Sequence, residues 1–359
     1  MGKLWMNNEL VDRLAMLQQA EIKHPGINQV AIEKDWWVTV TLKALSQTDC
    51  HEFLIFKGGT SLSKGFHLIE RFSEDIDLAI SHSFFGIDKT TKSQRDKLRK
   101  TARKYIHETL STQLDTLLKD IGVSGYSIEN VTQVQDKNGE WQKIDSDKDP
   151  TVILLHYPSI IEDTASYIPP RVKIEISCLS MDEPTEVCEI QSLIGQSFEG
   201  EDYDADCKIK TVVPTRTFLE KMFLLAEEFQ KDNPRSMRMS RHLYDLEKLM
   251  DTQYGCEALA TRSLFDAIVE HRRKYYALKY VNYDLHAPAT INFMIPERAM
   301  EAWRSDYAEM RRFFIYGQSL EFDALMEKIK ELQERVRKVV PFDTPYVGEI
   351  ADENGISKA

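Results

Sequence analysis

The stretch FKGGTSLSKGFHLIERFSEDIDLAI, residues 56–80, decides the fold that the sequence predicts. Its residue pattern predicts a strand, a glycine turn, a short helix and a second strand. Gly58 and Gly59 permit a tight turn or the close approach of a ligand to the backbone. We expect Thr60 or Ser61 to cap the helix, which leaves backbone N–H groups pointing at an anion. The first half of the stretch therefore predicts a phosphate-binding turn.

The second half of the stretch carries two aspartates, Asp75 and Asp77, that alternate with apolar residues. In a strand this alternation places both carboxylates on one face and puts Ile76 and Leu78 in the core. Two carboxylates about 4 Å apart repel by about 4 kcal/mol at an effective dielectric of 20, and a Mg²⁺ ion reverses that cost. An acidic pair alone is more often solvated, but its order after the glycine turn favours a nucleotide and metal site.

A glycine-hydroxyl turn followed by Asp-x-Asp resembles the nucleotidyltransferase signature of the DNA polymerase β-like superfamily. The sequence KGGTSLSK…RFSEDIDL is similar to that of the AbiEii/AbiGii toxin family, which includes the MenT-type toxins. The resemblance spans most of the chain and is weakest in the middle insert and the tail. It implies a nucleotidyltransferase toxin of a bacterial toxin–antitoxin or phage-defence pair, with a cognate antitoxin as partner. In this family the acceptor of the nucleotide can be a tRNA end.

The resemblance also implies roles for residues of the signature. Asp75 and Asp77 would bind Mg²⁺, and the turn would hold the phosphates of an NTP. The predicted nucleotide contacts in this part of the chain are Lys57, Gly58, Gly59, Thr60, Ser61 and Lys64. The family also carries a Glu-Lys-Asp-type helix before its signature, which makes Lys34 and Asp35 candidates for buried support of the site.

A later stretch, RVKIEISCLS at residues 171–180, predicts another strand, with charged side chains on one face. Its apolar residues alternate with Lys173 and Glu175, so the acid can join Asp75 and Asp77. Polymerase-like transferases need a third acid as a base or metal ligand for the attacking hydroxyl. An exposed glutamate on an edge strand is the alternative. We predict Glu175 as a catalytic and metal-binding residue and Lys173 as a nucleotide contact.

The pattern changes to helices after residue 214, and two of these helices carry candidate site residues. Lys221 lies in the first, and Arg241 and Asp245 lie in the stretch RHLYDL. An ion pair one turn apart on a helix surface is an equally good explanation for Arg241 and Asp245. The family carries a helical lysine and then an Arg-x-x-Tyr-Asp-Leu stretch. It implies that Lys221 contacts the triphosphate, that Arg241 binds nucleotide and that Asp245 lies in the active site. Where the family often has Asp after the Arg, this chain has His242.

Three further charged stretches have simpler explanations. The run HRRKYYALKY combines charge with rings that can stack on an RNA end, so its possible RNA contacts are Arg272, Arg273, Lys274 and Tyr275. An amphipathic helix with solvated charges explains the same run. We expect the basic run at residues 95–105 to be a solvated helix face, and the acidic stretch FEGEDYDADC at residues 198–207 to be a solvated loop.

Composition limits the classes of protein that remain. The chain has 359 residues, a hydrophobic content of 42% and a net charge of −12, which argues against wholesale nonspecific DNA binding. Its five cysteines are scattered without a Cys-x-x-Cys pair, which favours reduced thiols over structural zinc. We find no apolar run of the length of a membrane span and no signal-peptide core, so we expect a cytoplasmic protein.

We predict an α/β (α+β) fold: a polymerase β-like nucleotidyltransferase domain with a mixed sheet, followed by a helical bundle domain. The first domain spans residues 1–214 with an insert at about 81–165, the second spans 215–340, and residues 341–359 form a loosely ordered tail. Two other functions stay open: a small-molecule nucleotidyltransferase of the antibiotic-modifying type, and a non-enzymatic nucleotide-binding regulator. A P-loop kinase is disfavoured because the chain lacks G-x-x-x-x-G-K-[ST].

Overall fold

The structure is a computed structural model, and it describes residues 4–87, 91–136, 138–161, 168–182, 184–198, 200, 202 and 205–339. The predicted loose tail at 341–359 lies outside these residues. Contacts divide the described residues into two compact units. The first unit contains the described residues of Met1–Val213 and Tyr307–Leu320. The second unit contains the described residues of Pro214–Asp306 and Glu321–Ala359. No helix in the described part of the chain is long and apolar enough to cross a membrane.

The first unit is built on a seven-stranded sheet with the strand order β3-β6-β7-β2-β1-β9-β8. Strand β1 pairs in parallel with β9, and β2 pairs in parallel with β7, while the other neighbours are antiparallel. The sheet is therefore mixed, as the sequence predicts. The seven strands are β1 (Leu54–Lys57), β2 (Ile76–Ile80), β3 (Ser127–Asn130), β6 (Thr151–His156), β7 (Arg171–Ser177), β8 (Thr185–Ile190) and β9 (Cys207–Val212).

The strands β4 (Gln133–Gln135) and β5 (Trp141–Lys143) form a separate two-stranded sheet. The chain turns between them at Asn138 and Gly139. Gly139 has a φ of +84°, which suits glycine in a tight hairpin turn. The Asn-Gly pair predicts a turn here between strands at about 126–131 and 152–157. The turn is present but joins β4 and β5, while the outer strands at 127–130 and 151–156 pair with each other in the large sheet.

One face of the large sheet packs against helices and forms the main core of the first unit. Ile76, Leu78, Ile174 and Ile176 are fully buried there, while the acids of the same strands point to the other face. The α-helices of residues 4–213 are α1 (Leu10–Lys23), α2 (Gln29–Leu45), α3 (Gly58–Thr60), α4 (Lys92–Tyr105), α5 (Ser111–Ile121) and α6 (Leu193–Ser197). Helix α2 is buried along nearly its whole length.

The chain after residue 213 is helical, as its 3.6-residue apolar pattern predicts. Its helices are α7 (Pro214–Glu228), α8 (Arg241–Leu249), α9 (Gln253–Ala260), α10 (Arg262–His271), α11 (Met300–Phe313) and α12 (Phe322–Arg337). The apolar pattern after Pro234 predicts a helix over residues 235–250, which would begin six residues before α8 does. Arg235 instead binds Glu228 through its backbone N–H and its guanidinium. Arg238 has a φ of +58°, which an α-helix does not accommodate.

The expectation of a solvated acidic loop at residues 198–207 is wrong for Asp202, which is fully buried. Its carboxylate accepts hydrogen bonds from the backbone N–H of Trp5 at 2.8 Å, the indole N–H of Trp36 at 2.9 Å and the hydroxyl of Ser192 at 2.6 Å. Burial raises the pKa of Asp202, and these three donors oppose that rise. The carboxylate joins the N-terminus, α2 and the cap of α6, which the local composition does not reveal.

We expect Asp202→Ala to lower the free energy of unfolding by about 3 kcal/mol, because it leaves three buried donors without an acceptor. Urea denaturation followed by circular dichroism measures this loss. The matched control is Asp145→Ala at an exposed position, which should change stability by less than about 0.5 kcal/mol. Equal losses in the two variants would contradict the assigned role.

Candidate active site

The glycine turn of the signature lies directly against one of the two aspartates. Strand β1 ends at Lys57, and a helical turn begins at Gly58 with a φ of +83°. A Cβ atom at Gly58 would lie 2.2 Å from Oδ2 of Asp77, so only glycine lets this carboxylate approach the backbone so closely. The turn and the acidic strand therefore form a single piece of structure.

Thr60 and Ser61 do not cap the helix as predicted, because both lie inside the helical turn and are fully buried. The Thr60 hydroxyl donates to the backbone carbonyl of Asp75 at 2.5 Å and lies 2.9 Å from the Ser73 hydroxyl. The Ser61 hydroxyl donates to the carbonyl of Gly58 at 3.0 Å. These hydroxyls therefore tie the turn to the segment that carries the acids.

The three predicted acids lie on neighbouring strands of the sheet. Asp77 is the register partner of Lys57 on β1 and of Glu175 on β7. Asp75 immediately precedes β2, two residues before Asp77 and on the same face of the sheet. Burial raises the pKa of Asp75, repulsion from Glu74, Asp77 and Glu175 adds to that rise, and Lys173 opposes it. The carboxylates are thus close enough to repel one another.

One of these acids is paired with a lysine. Lys173 Nζ lies 2.9 Å from Glu175 Oε1, and both side chains are partly exposed.

Among the residues that the structure describes, no three His, Cys, Asp or Glu side chains are arranged to hold a metal ion. Mg²⁺ requires only one or two protein carboxylates when substrate phosphates complete its shell. Asp75 and Asp77 supply hard oxygen ligands of that kind, so the donor set fits the ion, and the trio with Glu175 stays a prediction.

Helix α2 supports the site through two buried ion pairs. Lys34 Nζ lies 2.7 Å from Glu74 Oε2, one residue before Asp75, and both residues are at most 5% exposed. Lys64 Nζ lies 2.5 Å from Asp35 Oδ1 and also donates to the carbonyl of Gln191. The ammonium of Lys64 is therefore already bonded, which does not match the predicted phosphate contact.

Sequence reasoning missed two residues of this region, Glu74 and Arg71. Glu74 accepts a hydrogen bond from Lys34, which lies 40 positions earlier in the chain. Arg71 is 3% exposed, and a Cβ atom at Gly59 would lie 2.5 Å from its Nη2 atom. Arg71 also lines a cavity of about 250 Å³ together with Ser73. The only signal in the sequence is that both residues lie within the signature stretch.

In the second unit, the structure joins two of the residues that the family resemblance selects. Lys221 Nζ on α7 lies 2.8 Å from Asp245 Oδ2 on α8, and their side chains are 7% and 0% exposed. Asp245 therefore takes part in a buried pair between two helices rather than only a surface pair along one helix. Arg241 is the first residue of α8, and His242 is buried beside it.

The predicted RNA contact at Arg272 is wrong, because its guanidinium is buried in a paired ion bridge with Glu227. A buried, doubly bonded guanidinium does not reach a nucleic acid. Arg273 is exposed and pairs with Asp284 at 2.8 Å. Lys274 lies over the ring of Tyr275 at 5.3 Å. The alternative explanation of an amphipathic helix therefore accounts for Arg272, and the other three positions stay predictions.

Comparisons with known proteins place this chain in a family. Residues 40–328 match the model of the AbiEii nucleotidyl transferase toxins of type IV toxin–antitoxin systems. A comparison with curated proteins found no match. Among solved structures, the chain is similar to MenT4, a nucleotidyltransferase toxin from Mycobacterium tuberculosis H37Rv. The identity is 15%, the TM-score is 0.46, and the alignment covers 92% of this chain and 90% of that one.

The chain belongs to the AbiEii family of nucleotidyltransferase toxins, since the family model spans most of its length. The predictions of the family and of the enzyme class are confirmed. An NTP substrate and an antitoxin partner follow from that family.

We expect Gly58→Ala to reduce nucleotidyl transfer by at least about 100-fold, because the added Cβ displaces the Asp77 carboxylate by more than an ångström. The matched control is Gly139→Ala. Gly139 has nearly the same φ, and none of the described residues lies within 4 Å of its added Cβ. Both variants should lose about 1 kcal/mol of stability from backbone strain, but only Gly58→Ala should lose activity. Steady-state transfer assays and urea denaturation of both variants test this, and equal activity in the two would contradict it.

Proposed function

We propose that this protein transfers a nucleoside monophosphate from an NTP to a hydroxyl of an acceptor, with Mg²⁺, and that the acceptor is a tRNA end. One observation carries the catalytic part of the proposal: Asp77 lies against the glycine turn and opposite Glu175 on the adjacent strand, and Asp75 directly precedes the strand of Asp77. The acidic face and the turn offer the two things that an NTP-metal complex needs, hard oxygen ligands and a close backbone surface.

The roles of the acids follow from their positions. Asp75 and Asp77 would hold the metal, which would supply positive charge to offset that of the phosphates as pyrophosphate leaves. Glu175 lies across the strand pair from Asp77 and accepts the proton of the attacking hydroxyl. Lys173, already paired with Glu175, keeps that carboxylate oriented and compensates its charge.

The phosphates of the NTP are proposed to lie on the turn formed by residues 58–61, with Lys57 at the end of β1. The hydroxyls of Thr60 and Ser61 shape this turn, so the contacts there come from the backbone. We propose that Lys221 and Arg241 contact the nucleotide and that Asp245 belongs to the active site on the family resemblance alone. The structure pairs Lys221 with Asp245.

We propose that the first unit is the nucleotidyltransferase domain and the second the helical domain. The predicted bounds of 1–214 and 215–340 differ from these units chiefly in Tyr307–Leu320, which belongs to the first.

The proposal of a tRNA acceptor rests on the family resemblance and on the exposed basic side chains of Arg273 and Lys274, beside the partly buried ring of Tyr275. A small-molecule acceptor is the alternative, and it would need none of these side chains. Neutralising Arg273 and Lys274 together should therefore reduce transfer to RNA but not transfer to a small molecule. In a bacterial cell we expect the activity to be that of the toxin of a toxin–antitoxin or phage-defence pair, opposed by its antitoxin.

The deciding experiment is transfer of label from each of the four α-³²P NTPs, with Mg²⁺, onto total bacterial tRNA. We expect Asp77→Asn to lower transfer by at least about 1000-fold, because the change removes a metal ligand while preserving the shape of the side chain. EDTA should abolish wild-type transfer, and added Mg²⁺ should restore it.

The matched control is Asp145→Asn, the same chemical change at an exposed position of the first unit, which should leave transfer unchanged. Label on protein or on small molecules instead of RNA would keep the catalytic site and reject the tRNA acceptor. Full transfer by Asp77→Asn would reject the proposed metal site.

A further inference from the structure

The face of the sheet that carries the acids continues along β7 as a row of basic side chains. Side chains alternate along a strand, so Arg171 and Lys173 share a face with Glu175, while Val172 and Ile174 are buried on the other. His156 on β6 is the register partner of Arg171. Cross-strand partners lie on the same face with Cβ atoms about 5 Å apart. Topology thus brings Lys173, Arg171 and His156 into one row that leads away from the acids.

Several charged groups of the described residues lie near this row. Lys173 pairs with Glu175, and His156 Nε2 lies 2.8 Å from Oε2 of Glu129 on β3. Arg171 is exposed, and within the described residues its guanidinium has no hydrogen bond and no ion pair. Lys173 also acts on Asp75, so the row holds three basic groups against three carboxylates. Arg171, the central cation, lies near the ammonium of Lys34 and has no bonded partner within the described residues.

The spacing of the row suits a nucleic-acid strand. Residues two apart on a strand are separated by about 6.6 Å, so Lys173 and Arg171 present cations at that interval. The protein as a whole carries a net charge of −12 and repels a polyanion, so a local basic row determines where a phosphate backbone can approach. Because this row begins beside Glu175, a strand lying along it would place its end at the acids.

We propose that Arg171, with Lys173 and His156, binds the phosphodiester backbone of the acceptor strand next to the hydroxyl that receives the nucleotide. This inference rests on the proposed function and adds the site of the acceptor to it. The ligand class is the single-stranded end of an RNA. Arg171 is a binding residue in this account and has no part in the chemical step.

The test compares Arg171→Gln with wild type in steady-state transfer of NMP to tRNA, with the KM for tRNA and the KM for NTP measured separately. We expect the KM for tRNA to rise about five- to tenfold and the KM for NTP to stay within twofold, because one phosphate contact is lost. The slope of log KM against log salt concentration should fall by about 0.7, the value for one single-strand phosphate. Arg171→Lys should recover most of the affinity for tRNA.

The matched control is Lys100→Gln, which removes the same unit of charge from an exposed position on α4. Equal effects in both variants would overturn the inference and indicate a general effect of net charge. A rise in the KM for NTP would overturn it in favour of a nucleotide contact. An unchanged KM for tRNA in Arg171→Gln would refute the acceptor site alone, whereas absence of RNA transfer by wild type would refute the proposed function as well.

Discussion

Three buried charges at consecutive positions of α2 hold the first unit together. Glu33, Lys34 and Asp35 are at most 9% exposed, and each bonds to a different segment of the chain. A charge out of water is tolerated only when it is paired and hydrogen-bonded, so these contacts fix the segments strongly. The partners are the Ser159 hydroxyl and Ile160 N–H for Glu33, Glu74 and the Pro169 carbonyl for Lys34, and Lys64 and the Leu193 N–H for Asp35.

This row of charges explains why the acids can be held so near one another. Lys34 fixes Glu74, and Glu74 immediately precedes Asp75, so the approach of the chain to β2 is anchored in the core. Asp35 and Lys64 anchor the opposite end of the helical turn that starts at Gly58. The strand pairing then sets Asp77 beside Glu175. These buried contacts stabilise the arrangement against the repulsion among the acids.

Local patterns predict much of this arrangement. The alternation of Asp75 and Asp77 with apolar residues correctly predicts which face is buried, and the Asn-Gly pair correctly predicts a turn but not the short strands that it joins. Local patterns do not show which partner a polar group finds at long range. Lys34 and Glu74 are 40 positions apart, and Asp202 and Trp5 are 197 apart. For the same reason Thr60 is mistaken for a cap, since its acceptor is a carbonyl 15 residues further along the chain.

The central claim is that Asp75 and Asp77 bind the metal of an NTP complex against the glycine turn. Anomalous diffraction from crystals grown with Mn²⁺ and a non-hydrolysable NTP analogue tests it most directly. We predict a Mn²⁺ peak about 2.1 Å from oxygens of Asp75 and Asp77, with the analogue's phosphates on the backbone of residues 58–61. An analogue bound elsewhere, or a metal bound to other carboxylates, would contradict the account.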